Sequence, residues 1–247
     1  MKHYRMLLKK PSREFLRMCS DLFIADKRIT CAHSSKSVPT VVFENGFCSG
    51  MSCMKYWDSA FVELASEYSL FAYDRIDEAL AKDEIEDIKA YLDNIIEVLR
   101  TLLEVKGLKA PYMLVGHSLG GLTMQYFAQK YPDEVAGIVL VDAVYPNELA
   151  QDTVLDNNIS QIGQVIWEMP RLDKKPMSIL SATQEEYKKD NPDKVEEIDA
   201  SIQDQKKYME LYPFAKQTWV ESGHLIQYEK PDVIVDTIRS IINESNK

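Results

Sequence analysis

Five short runs of the chain are apolar at consecutive positions, save one serine: Val41-Val42-Phe43, Leu70-Phe71-Ala72-Tyr73, Tyr112-Met113-Leu114-Val115, Ile138-Val139-Leu140-Val141 and Met177-Ser178-Ile179-Leu180. A strand that is apolar at both odd and even positions has to be covered on both faces. These five are therefore predicted to be central strands of a mostly parallel sheet. Gln217-Thr218-Trp219-Val220 is a sixth such run, and residues 22–34 are expected to add one or two edge strands.

The segments between the runs change period. Over about 84–106, Ile85, Ile88, Leu92, Ile95, Ile96, Leu99, Leu102 and Leu103 recur at three and four residues, with acids and lysines opposite. Gly107 follows as a C-cap, and Pro111 then opens the next strand region. Further helices are predicted at about 54–67, 119–131, 194–211 and 232–244, the last behind Pro231-Asp232. Strands alternating with helices predict an α/β fold, with a mostly parallel central sheet and helices on both faces. Residues 143–175 break the alternation. Ile159, Ile162, Val165, Ile166 and Trp167 suggest a short amphipathic helix after Asn158, and the segment is too apolar for disorder. It is read as a small helical cap inserted into a single domain spanning residues 1–247.

Bulk properties narrow the partners. The net charge of -10 argues against nucleic acid or an anionic membrane, whose phosphates would be repelled. The acidic stretch 184–210 reads as a solvated face. No apolar run reaches the 18 or so residues of a membrane span, and Met6-Leu7-Leu8 is too short for a signal peptide. Cys19, Cys31, Cys48 and Cys53 make no disulfide framework in a chain of this length. Cys48 and Cys53 lack a second Cys/His pair for a metal site. Reduced thiols, a cytoplasmic location and the need for neither metal nor organic cofactor are the expectations.

Candidate chemistry centres on Gly116-His117-Ser118-Leu119-Gly120. Gly-x-Ser-x-Gly arises by chance often enough to mean little alone. Here it directly follows the strand Tyr112–Val115 and precedes an apolar helix, the context in which the pattern places a nucleophile on a sharp turn. The new helix also points unpaired amides at the space beside Ser118.

These residues resemble the α/β-hydrolase family, and the resemblance runs from about Val41 to the C-terminus. Val41-Val42-Phe43-Glu44-Asn45-Gly46-Phe47 is similar to the family's strand and oxyanion-hole loop, and Tyr73-Asp74-Arg75 to the end of its next strand. Val115-Gly116-His117-Ser118-Leu119-Gly120-Gly121 resembles the elbow of esterase- and lipase-like members. Tyr131-Pro132-Asp133-Glu134-Val135 with Leu140-Val141-Asp142 looks like the helix end and next strand, and Ser222-Gly223-His224 matches the histidine loop. The chain departs from many relatives after Arg75, where Ile76-Asp77-Glu78-Ala79 stands in place of a glycine-rich turn.

Four histidines compete for the role of base. His3 and His33 lie on segments that read as a tail and a polar surface, and His117 is expected to pack beside the sheet, pointing away from the Ser118 hydroxyl. His224 follows a predicted strand in a short loop, where it could take the serine proton and return it to a leaving group. The acid is left between two residues. Asp142, ending the strand after the nucleophile helix, is favoured because some relatives carry their acid there. Glu185, near the more usual place, is the alternative. By resemblance, the oxyanion donors are the amides of Phe47 and Leu119.

The expected activity is that of a serine hydrolase, a carboxylesterase for small to medium apolar esters. Met51, Met54, Tyr56, Trp57, Tyr145, Trp167 and Met169 are candidates to line its pocket. A serine nucleophile argues against the dehalogenase and epoxide hydrolase chemistries, which use aspartate there. Thioesterase, C–C hydrolase and acyltransferase activities share the triad, and a non-catalytic binding protein on the same fold is the rival of another class.

Overall fold

The computed structural model describes residues 10–24, 27–36, 38–48, 52–147, 153–172 and 174–245. Among these, eight strands form one sheet: β1 (Cys19–Ile24), β2 (Lys27–Ser34), β3 (Thr40–Glu44), β4 (Ser69–Tyr73), β5 (Tyr112–His117), β6 (Val135–Val141), β7 (Met177–Ala182) and β8 (Lys216–Val220). Their order is β1-β2-β4-β3-β5-β6-β7-β8. Only the β1–β2 and β2–β4 pairs are antiparallel. Each of the six apolar runs falls inside an observed strand, and the edge pair begins at Cys19, three residues ahead of the predicted start.

The consecutive apolar positions serve two cores, one per face. Leu114, Ile138, Leu140 and Ile179 face α4 (Ile88–Val105), α5 (Leu119–Lys130), α6 (Val154–Glu168) and α8 (Val195–Leu211). Their neighbours Met113, Val115, Val139, Val141 and Leu180 face α1 (Arg13–Met18), α2 (Asp58–Leu64) and α10 (Pro231–Ser245). The central strands have no wet face. Removing this surface from water supplies the main stabilisation of the fold, at about 25 cal/mol per Å² of apolar area.

The helix predicted at 54–67 is shorter, α2 spanning Asp58–Leu64, and two further boundary differences meet at Asn158. Asn158 lies inside α6 rather than ahead of it, fully buried, and Thr153 is the N-cap, its hydroxyl accepting from Asp156 N at 3.1 Å. Asn158 Nδ2 donates to the carbonyls of Leu80 (3.0 Å) and Asp83 (2.9 Å), while its Oδ1 accepts from Ile85 N at 3.2 Å. Three backbone groups of residues 80–85 thus find their partners on α6. The long helix starts only at Ile88, capped by Asp87. A short helix α3 (Ala79–Lys82) precedes it; α1, α7 (Glu185–Asp190) and α9 (Ile226–Glu229) are also short helices with too little periodicity to be predicted.

The thiol expectation is corrected at two positions. Cys48 and Cys53 are joined in a disulfide with Cα atoms 6.1 Å apart, whereas Cys19 and Cys31 are free. The two cysteines are five residues apart in sequence, between strand β3 and α2. The argument from reduced thiols to a cytoplasmic location therefore loses its support. Among the described residues no helix is long and apolar enough to cross a membrane, and no cluster of three or more His, Cys, Asp or Glu could hold a metal ion.

Candidate active site

Sequence-distant residues meet at the C-terminal ends of the parallel strands, where the chain has to leave the sheet. Ser118 links β5 to α5 with φ 53° and ψ −124°, a backbone region that residues with a Cβ rarely enter. It occupies the N-cap position of α5, yet its side chain accepts no capping hydrogen bond from that helix. A serine kept for capping would make that bond, so the hydroxyl is left for another use. Its backbone is tied to the next strand: Ser118 N donates to Val141 O and Val144 N donates to Ser118 O, each at 3.2 Å. The turn is possible because Gly120 lets α5 pass close over β3; a Cβ there would sit 2.5 Å from Asn45 O.

Those same backbone bonds put the end of β6 beside the elbow. Asp142 also has positive φ (40°), is 4% exposed, and directs one oxygen at Ala182 N (2.9 Å). Its other oxygen accepts from His224 Nδ1 at 2.7 Å. His224 comes from the loop after β8, which is anchored to the end of β7 by Gln184 N to Ser222 O (3.0 Å) and held by Gly223 N to Glu229 Oε2 (2.8 Å). The His224 side chain is 40% exposed, so its second nitrogen can face an incoming molecule. Glu185, the alternative acid, is not brought to the histidine. It begins α7 on the surface and pairs with Lys188 at 3.4 Å.

The two expected amide donors sit on either side of the elbow. Leu119 is the first residue of α5, so its N–H has no acceptor within the helix. Phe47 follows Gly46, where an added Cβ would lie 3.0 Å from Ser118 Cβ. The loop is fixed by Asn45, whose side chain donates to Tyr73 O (2.8 Å) and accepts from Trp57 Nε1 (2.9 Å).

Two sets of residues around the site make contacts that the sequence did not reveal. His117 does pack beside the sheet, but its ring lies 4.5 Å from that of His224, and Nε2–H donates to the His224 carbonyl at 2.9 Å. Gln205 and Tyr208 of α8 hold the two carbonyls after the acid, Ala143 O and Val144 O, each at 2.6 Å. Both lie buried within a helix whose sequence is dominated by charge.

Burial, with a smaller contribution from His224, holds His117 well below the ordinary histidine range. It thus stays neutral beside a second imidazole that would have to become cationic during proton transfer. Unfolding exposes His117, which then takes up a proton below about pH 6.5. The unfolded state binds the extra proton, so stability contributed by this group is present above that pH and lost as pH falls below it, by up to about 1.4 kcal/mol per pH unit. Urea unfolding of wild type and His117→Gln at pH 7.5, 6.5 and 5.5 measures this. The variant should show the shallower decline, and equal slopes would reject the buried neutral histidine.

The apolar pocket candidates divide. Met54 and Trp57 are core residues in the turn that leads into α2, and Tyr145 is buried against Tyr208. Tyr56 packs edge-on against Tyr228, Met169 is partly buried, and Trp167 is 36% exposed with Arg171 over its ring. Met51 and His3 fall outside the described residues.

A family model for the alpha/beta hydrolase fold matches residues 39–164. Among curated proteins, the chain is 29% identical over 127 residues to the uncharacterized protein YbdG of Bacillus subtilis, covering 49% of this chain and 37% of YbdG. It therefore spans little more than a third of that relative's length. YqjL of the same organism, also uncharacterized, is 22% identical over 216 residues, covering 79% of this chain and 80% of YqjL. Among solved structures, the meta-cleavage product hydrolase of Pseudomonas fluorescens superposes with a TM-score of 0.63 at 13% identity, covering 93% of this chain and 99% of that one. Identity that low speaks for the fold alone.

Proposed function

Because this chain belongs to the α/β-hydrolase fold family, we propose that it is a serine hydrolase, with Ser118 as nucleophile, His224 as general base and Asp142 as the acid. The observation that carries this reading is the 2.7 Å bond from His224 Nδ1 to Asp142, made beside a strained serine that caps nothing. That bond fixes the imidazole tautomer with its proton on Nδ1, leaving Nε2 to accept the serine proton. Ser118 Oγ attacks the carbonyl carbon, and the amides of Leu119 and Phe47 receive the developing oxyanion. His224 passes its proton to the departing group. It then deprotonates a water that releases the acid and restores the serine.

The substrate class favoured is a carboxylic ester of small to medium apolar groups. Phe47 and Val144, adjoining the proposed oxyanion amide and the Asp142 turn, are apolar and only partly buried, and they leave such groups a surface to cover. The helix α6 and its flanking residues are taken as the cap over that surface. The test is turnover of p-nitrophenyl acetate, butyrate and octanoate, beside the butyryl thioester, with fluorophosphonate labelling of the same preparations. Ester turnover with butyrate or octanoate preferred, together with one equivalent of label, is expected. A thioester preference would move the substrate class while keeping the triad. A folded protein that neither labels nor turns over any of them would leave a binding protein on this fold as the better reading.

A further inference from the structure

The turn after β4 carries a buried charge cluster that the proposed reaction does not use. Arg75 is 4% exposed, Glu44 0% and Asp77 2%. Burial disfavours the guanidinium charge, but the adjoining carboxylates of Glu44 and Asp77 outweigh it and hold Arg75 firmly cationic. Such a cluster is a poor source of stability, because the desolvation of three charges offsets their attraction. This one also leaves Glu44 Oε2, Arg75 Nε and Asp77 Oδ1 without a hydrogen-bond partner among the described residues. What it does achieve is geometric.

Arg75 Nη1 donates to the Glu44 carboxylate and to Asn45 O (3.2 Å), and Nη2 donates to Gly46 O (3.3 Å) and Asp77 Oδ2 (3.2 Å). Asp77 Oδ2 in turn accepts from Cys48 N at 3.3 Å. The residue between these two anchors is Phe47. Its N–H shares a planar trans peptide with Gly46 C=O, so the two groups point in opposite directions. Pinning the carbonyl to a guanidinium therefore fixes where the amide aims, and drawing electron density toward the cation makes that amide a stronger donor. Asp77 closes the grip from the other side, in a turn where a glycine could not.

We propose that Arg75, with Asp77, is a positioning residue that aims and polarises the Phe47 amide at the oxyanion. The inference rests on the serine-hydrolase reading. It differs from a purely structural role in what it predicts: the transition state should suffer while substrate binding does not.

The test compares kcat and KM for p-nitrophenyl butyrate, and the affinity for butylboronic acid, which forms a tetrahedral adduct on an activated serine. Wild type is set against Asp77→Asn, Arg75→Lys and the charge-neutral double variant Glu44→Gln/Arg75→Gln. Losing one well-aimed oxyanion donor lowers kcat by about 10²- to 10³-fold. The double variant should lose about 10²-fold in kcat with KM within threefold, and boronate affinity should fall by a similar factor. Arg75→Lys, which keeps the charge but cannot fork across both carbonyls, should recover part of that loss, and Asp77→Asn should lose about tenfold. Variants that fold and keep kcat and boronate affinity within threefold of wild type overturn the proposal. The two single variants keep that outcome reachable if the double variant does not fold. A wild type that neither labels with fluorophosphonate nor turns over ester overturns the hydrolase reading and this inference with it. An active wild type with unaffected variants removes this inference alone.

Discussion

Ser118→Ala is expected to lower kcat/KM for p-nitrophenyl butyrate by at least about 10⁴-fold and to abolish fluorophosphonate labelling. The residual rate would come from the oxyanion amides and binding, which survive the loss of the nucleophile. Alanine keeps the Cβ, so the strained φ of 53° is no worse tolerated than in the wild type. The serine side chain caps no helix amide, so no capping energy is lost either. Thermal unfolding should therefore move by no more than a few degrees while activity disappears. That separation is the point of the measurement. Retention of a tenth of the wild-type rate would remove Ser118 from the mechanism.

Asp142→Asn should cost about 10⁴-fold in kcat, or about 5 kcal/mol of transition-state stabilisation. Asparagine is among the residues that best tolerate positive φ, so the turn at 40° should hold. Its carbonyl oxygen can go on accepting from Ala182 N, now at 2.9 Å. The amide nitrogen would then face His224 Nδ1 and donate to it, driving the imidazole proton to Nε2, where it blocks uptake of the serine proton. Glu185→Gln provides the contrast. That side chain is exposed and engaged with Lys188, and its loss should leave kcat within twofold. Equal effects in the two variants, or a large one only at Glu185, would transfer the acid role.

The fold was legible because its signal is local. Consecutive apolar residues such as Leu114 and Val115 can be satisfied only by cover on both faces, and the structure gives them separate cores. The elbow was legible for the same reason: strand, turn glycines and apolar helix are contiguous in the chain. The start of α4 was not, because a hydrogen-bonding side chain 73 residues from Ile85 takes up the Leu80 and Asp83 carbonyls and the Ile85 amide just ahead of it. The Cys48–Cys53 pairing escaped the sequence because it depends on two Cα atoms coming within 6.1 Å in space, which residue spacing alone does not determine.

The candidate site divides along the same line. Residue type and local context were enough to name Ser118 and His224 as candidates, since few side chains can serve as nucleophile or neutral-pH base. The choice between Asp142 and Glu185 was a matter of reach. Only the packing of β6 between β5 and β7 brings the carboxylate of Asp142 to His224 while α7 carries Glu185 into solvent. His117 under the His224 loop, Gln205 and Tyr208 behind the Asp142 turn, and Arg75 behind the Phe47 amide likewise act on backbone carbonyls. Every residue carries a carbonyl, so such partners leave no mark in the one-dimensional pattern. By itself the sequence determined which residues have the chemistry and which segments are strands and helices. The tertiary structure decided which of them meet, because hydrogen bonds act over about 3 Å in space while their partners lie tens of residues apart along the chain.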